Sequence, residues 1–377
     1  MNIVVLKERM KGEGRVALTP DHCMQLAILG HTVYVESGAG EKSGYRDSDY
    51  INHGAQIVST SSEIIPFLQS KNTVVLKVKQ PLPEDDAWLS FMKNCTFFAY
   101  FHSTGEKDRR TIDILLKHNI TAISYENVEK NGAYPILIPM SEIAGRLAAE
   151  WGITKFGLLP SRHFQMVVFG AGTVGFAAIK KGLDLGFFRI IVFEKDGTKA
   201  RFLREHLSEQ EMWRVNFFYP NNPFYDYETV MKHELGNADL LVGAVLVPGG
   251  HSPMVVSEKE VKSMSKGSVI VDVSVDQGGC IWHPENETAT VFEFEGKIFC
   301  RTPNMPGSVP EEATPILAKA IFPYLLQILD HGAETGLKQN VGLRKGLLTY
   351  GGKIMNEKAA VHWGEQYTDP STIFDGS

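Results

Sequence analysis

Hydrophobic residues in this chain come in short runs that alternate with helical patterns, which is the grammar of repeated strand–helix–strand units. The runs Ile3–Leu6, Thr32–Glu36, Val74–Val78, Thr96–Phe101 and Thr121–Tyr125 predict a first set of strands. A first helix is marked by Thr19 as N-cap, Pro20 at its first position and Gly30 just past its end. A longer helical pattern covers about 141–158. Ser141 is its expected N-cap, Glu142 places a negative charge in its first turn, and Ile143, Leu147, Ala148 and Trp151 recur at helical spacing. A second set of strands follows at Gln165–Phe169, Ile190–Phe193, Leu240–Ala244 and Val269–Val273, ending near Phe299–Cys300. Beyond Pro303-Asn304-Met305-Pro306 the pattern is helical without strands, strongest over Ile316–Leu329 and weaker over Val341–His362.

Two strand–helix series imply two doubly wound α/β domains, Rossmann-like in outline and separated by a cleft. A terminal block of helices has no sheet of its own to cover. It is expected to fold back on the first domain, which would then comprise about 1–128 plus 305–377, with the second at about 129–304. A length of 377 residues fits two such cores.

Composition narrows the class. The chain is 43% hydrophobic and carries a net charge of -6 with no basic block, so nothing supplies the footprint of a nucleic-acid binder. The apolar run at the start meets charges at once, unlike a signal peptide, and no stretch is long enough to cross a bilayer. The 4 cysteines, Cys23, Cys95, Cys280 and Cys300, have no metal-ligand spacing and read as buried thiols of a reducing cytoplasm. A small-molecule enzyme without a structural metal is the expectation.

The first chemical signal is Gly170-Ala171-Gly172-Thr173-Val174-Gly175, which follows a predicted strand and opens a helix. In that context Gly170 permits the tight turn, Gly172 admits a pyrophosphate to the backbone, and Gly175 lets helix pack on strand. The helix N-terminus faces the phosphates. Glu194, at the end of the next strand, can accept hydrogen bonds from ribose hydroxyls and would repel a 2′-phosphate, so NAD is favoured over NADP. Nearby Lys195, Lys199 and Arg201 partly offset that repulsion, and Lys199 is placed on the cofactor side.

A second constellation lies in the first domain. Arg15 occupies a charged, glycine-rich loop after the first strand. Lys77 and Lys79 alternate near the end of a buried one, expected on a shared face, and His102 closes a third. Such groups at strand C-termini should converge on one cleft and suit a small anionic substrate. A guanidinium can hold a carboxylate, a lysine can polarise a carbonyl, and a histidine can move a proton near neutral pH. In the second domain Asp272 and Asp276 stand at and beyond a strand end, sharing a face if the chain stays extended, and Asp276 is the candidate for the site.

Several ordered motifs resemble the alanine dehydrogenase family, which is related to the soluble NAD(H)-binding part of proton-translocating transhydrogenase. They are Arg15-Val16-Ala17-Leu18-Thr19-Pro20, Leu76-Lys77-Val78-Lys79-Gln80-Pro81, Met140-Ser141-Glu142-Ile143-Ala144-Gly145-Arg146-Leu147-Ala148, Gly243-Ala244-Val245-Leu246-Val247-Pro248-Gly249, Asp276-Gln277-Gly278-Gly279 and Asn304-Met305-Pro306. The resemblance implies that Arg15 and Lys79 bind substrate carboxylate and carbonyl, that His102 is the acid/base, and that Asp276 is a catalytic acid near the nicotinamide. It implies that Ser141, Val245, Leu246, Asn304 and Met305 line the cofactor cleft. The implied reaction is reversible oxidative deamination of L-alanine to pyruvate and ammonia with NAD, in a homohexamer. A related amino-acid dehydrogenase of opine or saccharopine type is the first rival. A transhydrogenase subunit is the second, disfavoured by the Lys79/His102 pair.

The chain also departs from the family pattern. The segment 156–164 looks short for the usual glycine-rich linker, Glu194 stands where aspartate is common, and the aromatic stretch Phe217–Tyr227 is unusual.

Overall fold

In the computed structural model the described residues are 1–59, 61–102, 109–154, 157, 164–245, 251–285 and 287–375, with 61 and 62 described for backbone only. The chain divides into two compact units, Met1–Met140 with Pro306–Ser377, and Ser141–Met305. Both crossings lie further along the chain than the positions 128 and 305 expected from sequence.

The first stretch supplies β1 (Asn2–Val5), β2 (Thr32–Glu36), β3 (Gln56–Val58), β4 (Thr73–Lys79), β5 (Thr96–Tyr100) and β6 (Thr121–Ser124). The second unit supplies β7 (Gln165–Phe169), β8 (Arg189–Phe193), β9 (Val215–Phe218), β10 (Leu240–Gly243), β11 (Val269–Asp272), β12 (Val291–Phe294) and β13 (Lys297–Cys300). The chain then returns with β14 (Leu347–Tyr350) and β15 (Lys353–Ile354).

The first sheet has the order β15-β14-β6-β5-β4-β1-β2-β3 and the second β12-β13-β11-β10-β7-β8-β9. Each starts from a central strand, runs two strands outward on one side, then crosses to the other, so both share the doubly wound order 3-2-1-4-5; the sixth place is taken by β6 in the first sheet and by β13, flanked by the antiparallel β12, in the second. Pairing is parallel throughout that core, and antiparallel strands are confined to the edges at β12, β14 and β15. Buried on both faces, the central strands are predominantly apolar: every residue of β4, β5 and β7 is buried, Lys77 and Lys79 of β4 among them.

Three local expectations need correction. The terminal block is not purely helical, because Leu347–Tyr350 and Lys353–Ile354 form a hairpin added antiparallel to β6. Gly351 and Gly352 turn it, both at positive φ, and four and two residues are too few for a period-2 signal to stand out. The long helix spans Leu137–Thr154, so Ser141 lies inside it and does not cap it. Pro139 near its start needs no amide partner and is compatible with that earlier beginning. Thr19 precedes the first helix, Pro20–Ile28, but its hydroxyl makes no cap and bonds His22 Nδ1 at 2.6 Å instead.

Candidate active site

In the second unit β7 ends at Phe169, and the chain turns at Gly170 with φ 95 before the helix Thr173–Asp184 begins. A Cβ on Gly170 would stand 2.5 Å from the Ala244 carbonyl oxygen, and one on Gly175 would stand 1.8 Å from the Gly170 oxygen. Both are therefore obligatory glycines set by backbone approach. Gly172 differs: nothing lies within 4 Å of where its Cβ would be, and it precedes the helix without a side-chain cap. The turn thus offers open space and uncapped N–H groups of Thr173 and Val174 at the positive end of a helix, the requirements of a pyrophosphate.

Glu194 follows β8 and is half-buried. Its Oε2 accepts a hydrogen bond from Ala171 N at 2.7 Å and its Oε1 one from Asp196 N at 3.2 Å. The carboxylate is thereby fixed between the glycine-rich turn and the loop after β8, where an adenosine ribose would arrive. Lys199 is exposed and opens the helix Lys199–His206. These residues fit a dinucleotide. Val245, after β10, is half-buried, and its carbonyl accepts from Ser252 Oγ at 2.7 Å and Ser274 Oγ at 2.8 Å. Leu246 lies outside the described residues.

Asp272 and Asp276 do not share a face. After β11 the chain coils into the 3-10 turn Val273–Gln277, which ends the extended geometry that their spacing required. Asp272 is buried and organises the loop, accepting from Ser274 N, Cys280 N and Ile281 N at 2.9, 2.8 and 3.0 Å. Asp276 is exposed, and its Oδ2 accepts from Asn304 N at 3.3 Å. Asn304 is half-buried, with positive φ; Met305 is buried, and Ser141 is half-buried in the long helix.

The first unit gathers its charges at the ends of β1, β4 and β5. Arg15, buried in the loop after β1, donates from Nε and a terminal nitrogen to Glu13 at 2.8 and 2.6 Å. Burial by itself would raise the Glu13 pKa, but the facing Arg15, with Lys79 adding to it, brings the carboxyl down to about 2. Lys79 Nζ lies 3.0 Å from His102 Nε2 and 5.8 Å from the centre of the Tyr100 ring. The half-buried imidazole stacks on that ring at 5.9 Å. Burial first, then the charges of Lys79 and Arg15, push the His102 pKa well below its ordinary value. The ring is therefore neutral at physiological pH, and Lys79 donates to Nε2.

Lys77 does not join this group. The ladder between β4 and β5 shifts between Leu76 and Lys79, so that Lys79 pairs with Tyr100, and the alternation expected of the two lysines is broken. Lys77 is fully buried, held by Glu8 at 2.8 Å and Asp85 at 3.4 Å. Glu8 Oε1 also accepts from the main-chain nitrogens of Val78 and Lys79 at 2.6 and 3.2 Å, bracing the irregular strand end.

The family model for the alanine dehydrogenase/PNT N-terminal domain matches residues 4–144, and that for the C-terminal domain matches 150–357. The chain belongs to the alanine dehydrogenase/PNT family. It is 33% identical to the alanine dehydrogenase of Mycobacterium tuberculosis, across 99% of this chain and 100% of that protein. It is 35% identical to the alanine dehydrogenase of Bacillus subtilis, across 97% and 96%. Among solved structures an L-alanine dehydrogenase superposes with TM-score 0.83 at 33% identity, covering 97% of this chain and 99% of that one. A transhydrogenase from Sinorhizobium meliloti shares the fold, with TM-score 0.79 at 22% identity, covering 94% and 100%.

Residues that act through partners leave little trace in the sequence of this family member. Glu13 is visible only as the acid beside Arg15 in the loop, and Glu126 gave no signal at all. Gly145 stands within the motif Met140–Ala148. A Cβ there would stand 2.0 Å from the Val174 carbonyl oxygen, so the long helix and the cofactor helix approach backbone to backbone at that point. A glycine inside a strong helical pattern is the signal that could have revealed it.

Proposed function

We propose that this chain catalyses the NAD-dependent, reversible oxidative deamination of L-alanine to pyruvate and ammonia. The observation that carries the reading is the contact of Lys79 Nζ with His102 Nε2 at 3.0 Å, beside a buried Arg15 whose guanidinium is held by Glu13. Met1–Met140 with Pro306–Ser377 is read as the substrate unit, and Ser141–Met305 as the dinucleotide unit. NAD, when bound, supplies the acceptor for the hydride leaving the alanine Cα.

The rest of the chemistry falls to side chains of this chain. Arg15 binds the substrate carboxylate, and Lys79 holds the oxygen that becomes the pyruvate carbonyl. His102, neutral, takes the proton from the water that attacks the iminium carbon once Lys79 has turned from Nε2 to the substrate oxygen, and returns it as ammonia departs. Asp276 assists as an acid on the cofactor side. On the dinucleotide side, Gly170, Ala171, Gly172, Thr173, Val174 and Gly175 cradle the pyrophosphate, and Glu194 accepts from the ribose with Lys199 nearby. Ser141, Val245, Leu246, Asn304 and Met305 line the remainder. The working assembly is read as a homohexamer of the cytoplasm, a compartment suited to four buried, unpaired thiols.

A spectrophotometric panel tests this: NADH formation from NAD with each L-amino acid, and NADH consumption with pyruvate plus ammonium or pyruvate plus lysine. L-Alanine and ammonium are the expected substrates. NADH formation with no L-amino acid, or consumption with lysine alone, would discard the proposal. Light scattering reads the assembly.

A further inference from the structure

Glu126 lies in the short turn Tyr125–Asn127 that follows β6, the strand beside β5. Its Oε1 accepts a hydrogen bond from the main-chain nitrogen of His102 at 2.7 Å. His102 has φ 45, a left-handed conformation uncommon for a residue with a side chain, and this bond anchors the backbone on which the imidazole stands. The other oxygen, Oε2, is buried and has no hydrogen-bond partner among the described residues. A buried carboxylate oxygen left open is costly and calls for a ligand.

Neighbouring carboxylates are already engaged. Glu8 is taken by Lys77 and two amides of β4, Glu13 by Arg15, and Asp85 by Lys77, Leu82 N and Trp88 Nε1. An amino acid carries an anionic and a cationic end. Arg15 answers the first and Lys79 the carbonyl oxygen, which leaves the second unanswered.

We propose that Glu126 Oε2 receives the amino group of the substrate while Oε1 fixes His102; this rests on the amino-acid reading given above. Alanine arrives as an ammonium, which has no lone pair with which to expel hydride. One N–H bond breaks and its proton forms an O–H bond at Oε2. The nitrogen lone pair then builds the C=N bond as the Cα–H electron pair leaves to NAD as hydride. Burial raises the proton affinity of Glu126, and main-chain hydrogen bonds and Lys79 oppose it. The titratable and charged groups around it are Lys79 at the end of β4, Tyr100 and His102 on and after β5, and Tyr125 on its own turn.

Glu126→Gln in the full chain is the test, with steady-state kinetics in both directions and NADH affinity by fluorescence. Expected is a rise of roughly tenfold or more in KM for L-alanine and for ammonium, with little change for pyruvate or in NADH affinity, because a charge-assisted contact to nitrogen alone is lost. Its KM for alanine should also lack the acid limb expected of wild type. Unchanged nitrogen-substrate KM values and an unmoved pH profile, in a variant that still binds NADH, would overturn it. Where the Glu126→Gln variant fails to bind NADH, Glu126→Asp keeps the charge on a shorter arm. A displaced pH profile for alanine supports the proposal, and an unmoved one sinks it. A wild-type protein idle on alanine brings down the underlying reading, whereas an active wild type with an indifferent Glu126 brings down this inference alone.

Discussion

The two units share a strand order over their first five strands, yet they build their strand-end sites from different materials. The second relies on backbone: three glycines, uncapped helix N–H groups and one carboxylate tied to Ala171. The first relies on charged side chains, many of them buried, each needing a counter-charge or hydrogen bond nearby. Phosphates bring their own charge and need only dipoles and room. A small zwitterion must be oriented end for end, and that takes fixed ions of both signs.

The comparison is broken most severely at His102. His102→Ala should lower turnover by about 10²–10⁴-fold with NADH affinity unchanged, because His102 lies in the first unit and the glycine-rich turn in the second. Fluorescence titration beside stopped-flow measures both, and loss of NADH binding would contradict the separation. Next comes Gly175→Ala, whose Cβ would meet the Gly170 oxygen at 1.8 Å. It should destabilise the second unit by about 3 kcal/mol or more, read as a fall in thermal midpoint.

Glu13→Gln probes the ionic side. Because the Glu13 pKa is lowered from 4.5 to about 2, its ionised form stabilises the fold above the ordinary range, and that contribution fades as pH falls from 4.5 towards 2. The variant should lose about 3 kcal/mol at neutral pH, and the gap to wild type should narrow below pH 4.5, measured by urea unfolding across pH. A constant gap would mean that Glu13 matters by shape alone. The smallest effect is Gly172→Ala. With open space around it, the added methyl should leave the melting temperature unchanged and weaken NADH about tenfold by occupying the pyrophosphate approach.

Strand–helix alternation was legible because parallel strands buried on both faces leave long apolar runs, as in β4 and β7. The glycine-rich turn and Glu194 were legible because backbone geometry demands particular residues at particular places. Edge elements such as Gln56–Val58 and the Leu347–Ile354 hairpin were not, being short and stabilised by pairing that no local pattern encodes. The separation of Lys77 from Lys79 was also hidden. It comes from one irregularity in the β4–β5 ladder, where Glu8, some seventy residues earlier in the chain, bonds the amides of Val78 and Lys79. Glu126 stayed invisible for a like reason, since its meaning lies in the His102 amide it meets.

The return of the chain to β14 has a consequence for synthesis. The second unit consists of one continuous stretch and can complete its sheet while the ribosome is still producing the rest. The first cannot: until residues 347–354 emerge, β6 is an unpaired edge, open to strand exchange with another nascent chain. A premature stop before Leu347 is thus expected to yield a protein whose dinucleotide unit is sound and whose other unit aggregates, and the growing chain depends on its last-made strands to close its first-made sheet.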